Sequence, residues 1–325
     1  MLTRRELSLV ALIALTAASA ARPQRKPALI GLLSPYTTTK VRPFRDTFVR
    51  ALGQNGHTVG RDFLLLERYA EGDNERLLQL AHELVAARVD LILTSSTNAA
   101  RAAQQATSTI PIVFEAVGDP VRAGFAESVS RPGRNMTGLS NFSGDLTAKR
   151  LELLKEAVPR CRTVAVLANP SNPFYASTLQ RVQPFADKLE LKVLLVSAGT
   201  SDSFEEAFQA MKRAGADALL ETADAYLWMH GEQIANLALR HALPSISAFH
   251  DLVEAGGLMS YGVDMHASVQ QAAAFVDKIL RGGKPQELPI EQPRRLMFAV
   301  NARTAGALGL SIPQSILLRA DMVIR

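Results

Sequence analysis

One pattern of strands and helices is written twice along this chain, and that repetition limits the fold more than any other feature. From Ala28 the segment "ALIGLLSP" reads as a strand, "FRDTFVRALGQNG" as a helix closed by the Gly56 turn, and "FLLLERYAE" as a second strand. The next helix takes Asp73 or Asn74 as its cap and turns Leu77, Ala81, Leu84 and Val85 to one face. Strand "VDLILTSS", a helix from about Asn98 and strand "IPIVFEAV" follow. Continuous apolar strands between amphipathic helices predict a parallel sheet covered on both faces. At residue 163 the programme restarts. "TVAVLANP" answers "ALIGLLSP", with Pro43-Phe44 and Pro173-Phe174 in matching places, and "KVLLVSAG" answers "FLLLERYA". "SFEEAFQAMKRAGADALLETAD" answers "NERLLQLAHELVAARVDLILTSS", its helix opening with Ser203 and Glu206 in capping-box spacing. "PSISAF" then stands for "IPIVFE". The expected fold is α/β: two doubly wound, Rossmann-like parallel-sheet lobes, residues 28–140 and 141–262, joined by a hinge. A length of 325 residues suits two such domains.

Ahead of the first lobe, "MLTRRELSLVALIALTAASAARP" has a positive start (Arg4, Arg5), an apolar run and the small-residue pattern Ala18-Ser19-Ala20. This is the pattern of a cleavable bacterial export signal over residues 1–20, and the run is too short to span a bilayer. The twin arginine permits a Tat route beside the Sec route. Export of this kind places the protein in the periplasm. The single cysteine, Cys161, excludes an internal disulfide and reads as a small buried apolar residue. A net charge of +5 comes from 36 basic residues scattered among 31 acidic ones, which is a mixed surface and not a nucleic-acid face.

Parallel sheets of this type bind ligands outside the carboxyl ends of their strands. Two facing lobes bring two such edges to one cleft. The first lobe contributes Ser34-Pro35-Tyr36, Thr94 through Asn98, and Val117 through Pro120; the second contributes Asn169 through Asn172, Ala198 through Thr200, Thr222 through Asp224, and Ala248 through His250. Hydroxyls and amides dominate these loops, and charges are few. No nucleophile elbow, phosphate loop, HExxH or dinucleotide fingerprint is present. The six histidines contain no i,i+4 pair, so neither a metal nor a cofactor is expected. The cleft suits a small polar molecule held by hydrogen bonds better than bond-breaking, and no catalytic residue is assigned.

Several cleft residues carry two readings. Asp224 ends a strand and precedes "AYLWMHGEQIANLAL", so it is a helix cap or a ligand hook. One of Ser95, Ser96 and Thr97 is an N-cap, while the others and the free N–H groups of that first turn form a carboxylate site. Tyr36, Tyr175, Tyr226 and Trp228 either stack on a ligand or pack the lobes together. Asn141, in the crossover "GLSNFSG", satisfies the hinge backbone or reaches the cleft. Asp119, at the mouth of strand "IPIVFEAV", is expected to hold its loop in shape beside Gly118, which lets the backbone come close.

The runs "LLSP", "TSSTNAARAAQQATSTIPIVFEAVGDPVRAG", "RPGRNMTGLSN", "LANPSNPF" and "SYGVD" resemble the ABC-transporter substrate-binding family related to tryptophan- and tyrosine-binding proteins, of the type I periplasmic binding fold. The resemblance covers residues 28–325. It implies ligand contacts from Ser34, Ser95 to Thr97, Asp119, Asn141, Asn169 and Asp224. The full candidate set adds Tyr36, Thr94 and Gly118 from the first lobe, and Asn172, Tyr175 and Tyr261 from the second. It also implies three hinge crossings near residues 138–144, 260–266 and 284–292. The helix at about 266–283 would return to the first lobe and the tail, about 287–325, to the second. The function implied is that of a monomeric periplasmic component of an ABC importer, closing over a small organic ligand such as an amino acid and presenting it to a membrane permease. A ligand-sensing domain that works with a membrane receptor shares this clamp. An exported α/β enzyme would need acids in the cleft, and only Asp119 and Asp224 qualify.

Overall fold

The computed structural model describes residues 26–325, apart from Phe142 and the side chains of residues 143–145. The export signal expected over residues 1–20 lies outside the described residues. In the first lobe β1 (Ala28–Ser34), α1 (Thr38–Gln54), β2 (Phe63–Tyr69), α2 (Arg76–Ala86), β3 (Leu91–Thr94), α3 (Thr97–Ala106), β4 (Ile112–Val117) and β5 (Met136–Ser140) follow one another. They build a five-stranded sheet in the order β2-β1-β3-β4-β5, parallel throughout.

The second lobe repeats the scheme with α4 (Ser143–Ala157), β6 (Thr163–Ala168), α5 (Thr178–Lys188), β7 (Lys192–Ser197), α6 (Ser203–Arg213), β8 (Ala218–Glu221), α7 (Ala225–Met229), α8 (Gly231–Arg240), β9 (Ser245–Ser247), α9 (Asp251–Glu254) and β10 (Met259–Val263). Helix α10 (Met265–Leu280) goes back to pack on α1 and β4. The chain then returns to add β11 (Leu296–Asn301), α11 (Ala302–Ala307), α12 (Gln314–Arg319) and β12 (Met322–Ile324). Read from its edge, the second sheet runs β7-β6-β8-β9-β10-β11-β12, so its first five strands copy the first sheet. The copy is not wholly parallel as expected, because β11 enters from the opposite side and pairs antiparallel with β10. On the third crossing Glu291 pairs with Leu139, so the returning chain lies against β5.

Alternation along the strands fills both faces of each sheet. In the first lobe Leu33, Ile92, Ile112 and Phe114 pack under α2 and α3, while Ile30, Leu91, Leu93 and Val113 pack under α1 and α10. Each such fully buried side chain contributes about 1.5–3 kcal/mol. Cys161 is buried in the second lobe, and burial pushes its thiol up to about 11.

Three local expectations are corrected. Pro173-Phe174 is not the counterpart of Pro43-Phe44: Pro43 lies inside α1, and its equivalent is Pro184 inside α5, because a short 3₁₀ turn at Tyr175–Ser177 is inserted before that helix. Ser203 does not form a capping box, since its Oγ donates backward to the Thr200 carbonyl at 2.6 Å. Neither Asp73 nor Asn74 caps α2 directly: Glu75 holds the cap position, and Asp73 accepts the Glu75 N–H at 3.0 Å.

Candidate functional site

The carboxyl ends of both sheets face one another across a cavity lined from both lobes. Space open to the centre of a water molecule amounts to about 110 Å³. A single water needs ~10–15 Å³ by that measure, so the cavity holds a small organic molecule.

On the first-lobe wall the sequence TSSTN turns from β3 into α3. Ser96 is the N-cap, its Oγ accepting the Ala99 N–H at 3.1 Å. This leaves the N–H groups of Thr97 and Asn98 without an intrahelical acceptor at the positive end of a ten-residue helix. Ser95, Ser96, Thr97 and Asn98 all line the cavity. Ser34 braces them from beneath: its Oγ accepts from the Ser95 hydroxyl at 3.0 Å and from the Tyr36 N–H at 3.3 Å. Tyr36 is buried and lines the cavity, and burial raises its phenol well above the usual range, with Glu115, Asp224 and Asp251 adding to the rise.

On the opposite wall Asp224 caps a helix and also lines the cavity. Its Oδ1 caps α7 by accepting the Tyr226 and Leu227 N–H groups at 2.8 and 3.1 Å. The same oxygen takes the Asn169 amide at 3.1 Å, and Oδ2 takes the Asn172 amide at 2.7 Å. The carboxylate is 5% exposed and lines the cavity. Four donors fix its orientation, and Oδ2, with one of them, retains acceptor capacity toward the cleft. Asn141 also lines the cavity, with its Oδ1 buried and without a hydrogen-bond partner among the described residues.

Ten of the fourteen sequence candidates therefore share this cavity: Tyr36, Ser95, Ser96, Thr97, Gly118 and Asn141 from the first lobe side, and Asn169, Asn172, Tyr175 and Asp224 from the second. Four do not line it. Ser34 and Thr94 are fully buried behind the wall. Asp119 shapes its own turn, accepting the Arg122 N–H at 3.0 Å. Tyr261 packs edge-on against Phe298 in the second lobe at 6.1 Å. The sequence reading missed Thr147, Phe174, Thr178 and Arg181, which also line the cavity. Thr178 and Arg181 sit three apart at the start of α5, the first helix after β6, and that helical spacing is the signal that could have found them. Arg181 gives the wall a cation where a nearly uncharged lining was expected. Its guanidinium lies 5.5 Å over the Phe174 ring, and burial lowers its pKa against the nearby Asp119.

The lobes meet closely around the cavity. A Cβ on Gly118 would come within 3.0 Å of the Phe174 ring, so the first lobe's loop approaches because it carries none. Trp228, on α7 of the second lobe, is 3% exposed and packs edge-on against Tyr36 of the first at 4.5 Å. Lys40 of α1 lies 4.5 Å over the same indole and 3.8 Å from Asp251, which accepts the indole N–H at 3.2 Å. Of the two readings left open for Trp228, lobe packing is the one observed. Among the described residues there is no group of three or more His, Cys, Asp or Glu that could hold a metal, and no helix is long and apolar enough to cross a membrane.

Known proteins share this fold. A crystal structure of a conserved domain protein from Vibrio cholerae superposes with a TM-score of 0.86 at 28% identity, covering 92% of this chain and 100% of that one. An ABC domain from Streptococcus pneumoniae in complex with L-Trp gives 0.85 at 24% identity over 92% and 100%, a likeness of fold. A ligand-free, open substrate-binding protein from Clostridium difficile gives 0.69 at 27% identity over 91% and 99%. The tyrosine-binding protein of Clostridioides difficile (strain R20291) is 26% identical over 263 residues, 81% of this chain and 75% of that protein. The family described as ABC transporter substrate binding protein matches residues 41–324, and this chain belongs to it.

Proposed function

We propose that the protein is the periplasmic solute-binding component of an ABC importer and takes an amino acid or a related carboxylate between its lobes. One observation carries this reading: a helix N-terminus and a buried carboxylate face one cavity from opposite lobes. The first turn of α3 offers N–H groups and hydroxyls to a ligand carboxylate, and Asp224 offers Oδ2 to an ammonium. The tyrosine-binding relative and the L-Trp complex support an amino-acid ligand, and Tyr36, Phe174 and Tyr175 supply flat apolar wall for a side chain. Binding proceeds by hinged closure. The ligand lands on one lobe, the other swings over it through the three crossing strands, and the permease receives the closed form. The lower score against the open structure, at similar identity, fits a different angle between lobes.

Calorimetric titration with L-tyrosine and L-tryptophan tests the reading. Asp224→Ala is expected to weaken binding ten- to a hundredfold, about 1.5–3 kcal/mol for a charge-assisted partner. Unchanged affinity in that variant would remove the ammonium assignment.

A further inference from the structure

Glu221 ends β8, three residues before Asp224, and is 1% exposed. Neither of its carboxyl oxygens makes a hydrogen bond of normal geometry among the described residues. The neighbouring strands bring small hydroxyls beside it. One step beyond the paired Leu220 and Ile246 the ladder sets Glu221 next to Ser247, and Ser247 pairs with Ser260 on β10. Ser247 Oγ is engaged by the Phe249 N–H at 3.1 Å, and Ser260 Oγ is buried without a partner among the described residues.

Charged groups reach Glu221 from every side without pairing with it. Asp224 sits at the cap of α7, Arg150 comes from α4, and Lys40 approaches from α1 of the other lobe. Arg150 directs its Nε to the Tyr261 carbonyl at 2.8 Å, and Lys40 is held by Asp251 and Trp228. A carboxyl in such a place cannot keep its charge cheaply, and it neutralises instead. Burial pushes Glu221 up to about 8, with Asp224 adding to the rise and Ser247, Arg150 and Lys40 opposing it.

We propose that Glu221 is a proton store beneath the ammonium anchor: it is protonated in the empty protein and gives its proton up when a cationic group settles on Asp224. The inference rests on the amino-acid reading of the cavity. The balance is simple. The ligand's ammonium keeps its own protons, the Glu221 O–H bond breaks, and that proton passes to bulk buffer. The new positive charge then faces two carboxylates in place of one. Affinity for ammonium-bearing ligands consequently rises with pH, by at most tenfold per pH unit for one released proton.

Titration calorimetry of the wild type with L-tyrosine and L-tryptophan at pH 7, in phosphate and in Tris, measures the release. A midpoint of about 8 leaves Glu221 mainly protonated at that pH, so up to one proton leaves per ligand. Glu221→Gln should bind with no buffer dependence, while Glu115→Gln, at the other carboxyl that burial raises to about 8, keeps the release. Release that persists in Glu221→Gln comes from another titratable group, so the two variants separate the contributions. Binding without buffer dependence in the wild type overturns the proposal and leaves the amino-acid reading standing, as does equal release from Glu221→Gln. If neither amino acid binds, the amino-acid reading falls and takes this inference with it. Should Glu221→Gln fail to fold, a carbon-13 titration of the wild-type carboxyls decides. A buried glutamate midpoint near neutrality that drops on adding ligand supports the store, and the absence of one ends it.

Discussion

The same row of residues crosses both sheets just below the cavity, and the two lobes fill it differently. In the first lobe the row reads Leu33, Thr94, Phe114 and Gly138, all in register. In the second it reads Leu167, Glu221, Ser247 and Ser260. Phe114 is fully buried against Phe125, and its carbonyl lies so near Gly138 that a Cβ there would come within 1.9 Å. Gly138 also has φ of 143°, which side chains rarely adopt. The first lobe has thus spent most of this row on rigid packing, with the Thr94 hydroxyl as its one buried group lacking a partner among the described residues. Its counterpart replaces the aromatic ring by a serine and leaves carboxyl and hydroxyl oxygens unsatisfied. A repeated fold can keep one copy as scaffold and load the other with buried polarity, at a cost in stability.

The largest expected effect breaks the packed copy. Phe114→Ala should destabilise the protein by about 3–5 kcal/mol in denaturant unfolding, the usual loss for a buried phenylalanine. A loss below about 1 kcal/mol would show that the row is no better packed in the first lobe than in the second.

Next comes the dependence of stability on pH. Glu221 is raised from 4.5 to about 8 in the fold, so the folded state binds the proton more tightly than the unfolded chain. Its contribution is fully present below about pH 4.5 and is lost as pH rises toward 8. Glu115 follows the same sign, raised to about 8 by burial alone. The melting temperature should fall between pH 5 and 8. Glu221→Gln should make that fall shallower by the equivalent of roughly 1 kcal/mol or more. A slope unchanged by the substitution would mean that the second row is satisfied after all.

The smallest effect concerns Ser260. Removing a buried hydroxyl that has no partner costs no hydrogen bond, so Ser260→Ala should be neutral or stabilise by up to about 1 kcal/mol. Clear destabilisation in a thermal melt would reveal a bonding partner for that hydroxyl and weaken the contrast.

Much of the architecture was legible because its signals are local. The repeat predicted two lobes of similar construction, and the TSSTN and ANPSN loops marked the two walls of the cavity. Yet the run GRNMTG, which carries part of the family resemblance, is structural. Asn135 donates to the Ile110 carbonyl at 2.7 Å, Thr137 to the Leu288 carbonyl at 2.8 Å, and Gly138 permits the close approach to Phe114. Motif strength did not measure nearness to the cavity. Asp119 holds its own loop, as expected of it, while Tyr261 came in with the run SYGVD, and a motif does not tell a side chain facing the cleft from one turned into a lobe.

By itself the sequence determined the two-lobe α/β class, the strand-end loops that face the cleft, and Asp224 and the run Ser95 to Thr97 as helix-capping types. These follow from hydrophobic period, turn chemistry and capping preference, all set by neighbours within a few residues. The tertiary structure decided the rest. It set Trp228 of one lobe against Tyr36 and Lys40 of the other, brought Arg181 to the cavity wall, and left Glu221 buried without a hydrogen-bond partner among the described residues. Burial and pairing depend on which distant segments arrive at the same place, and no local pattern encodes that meeting.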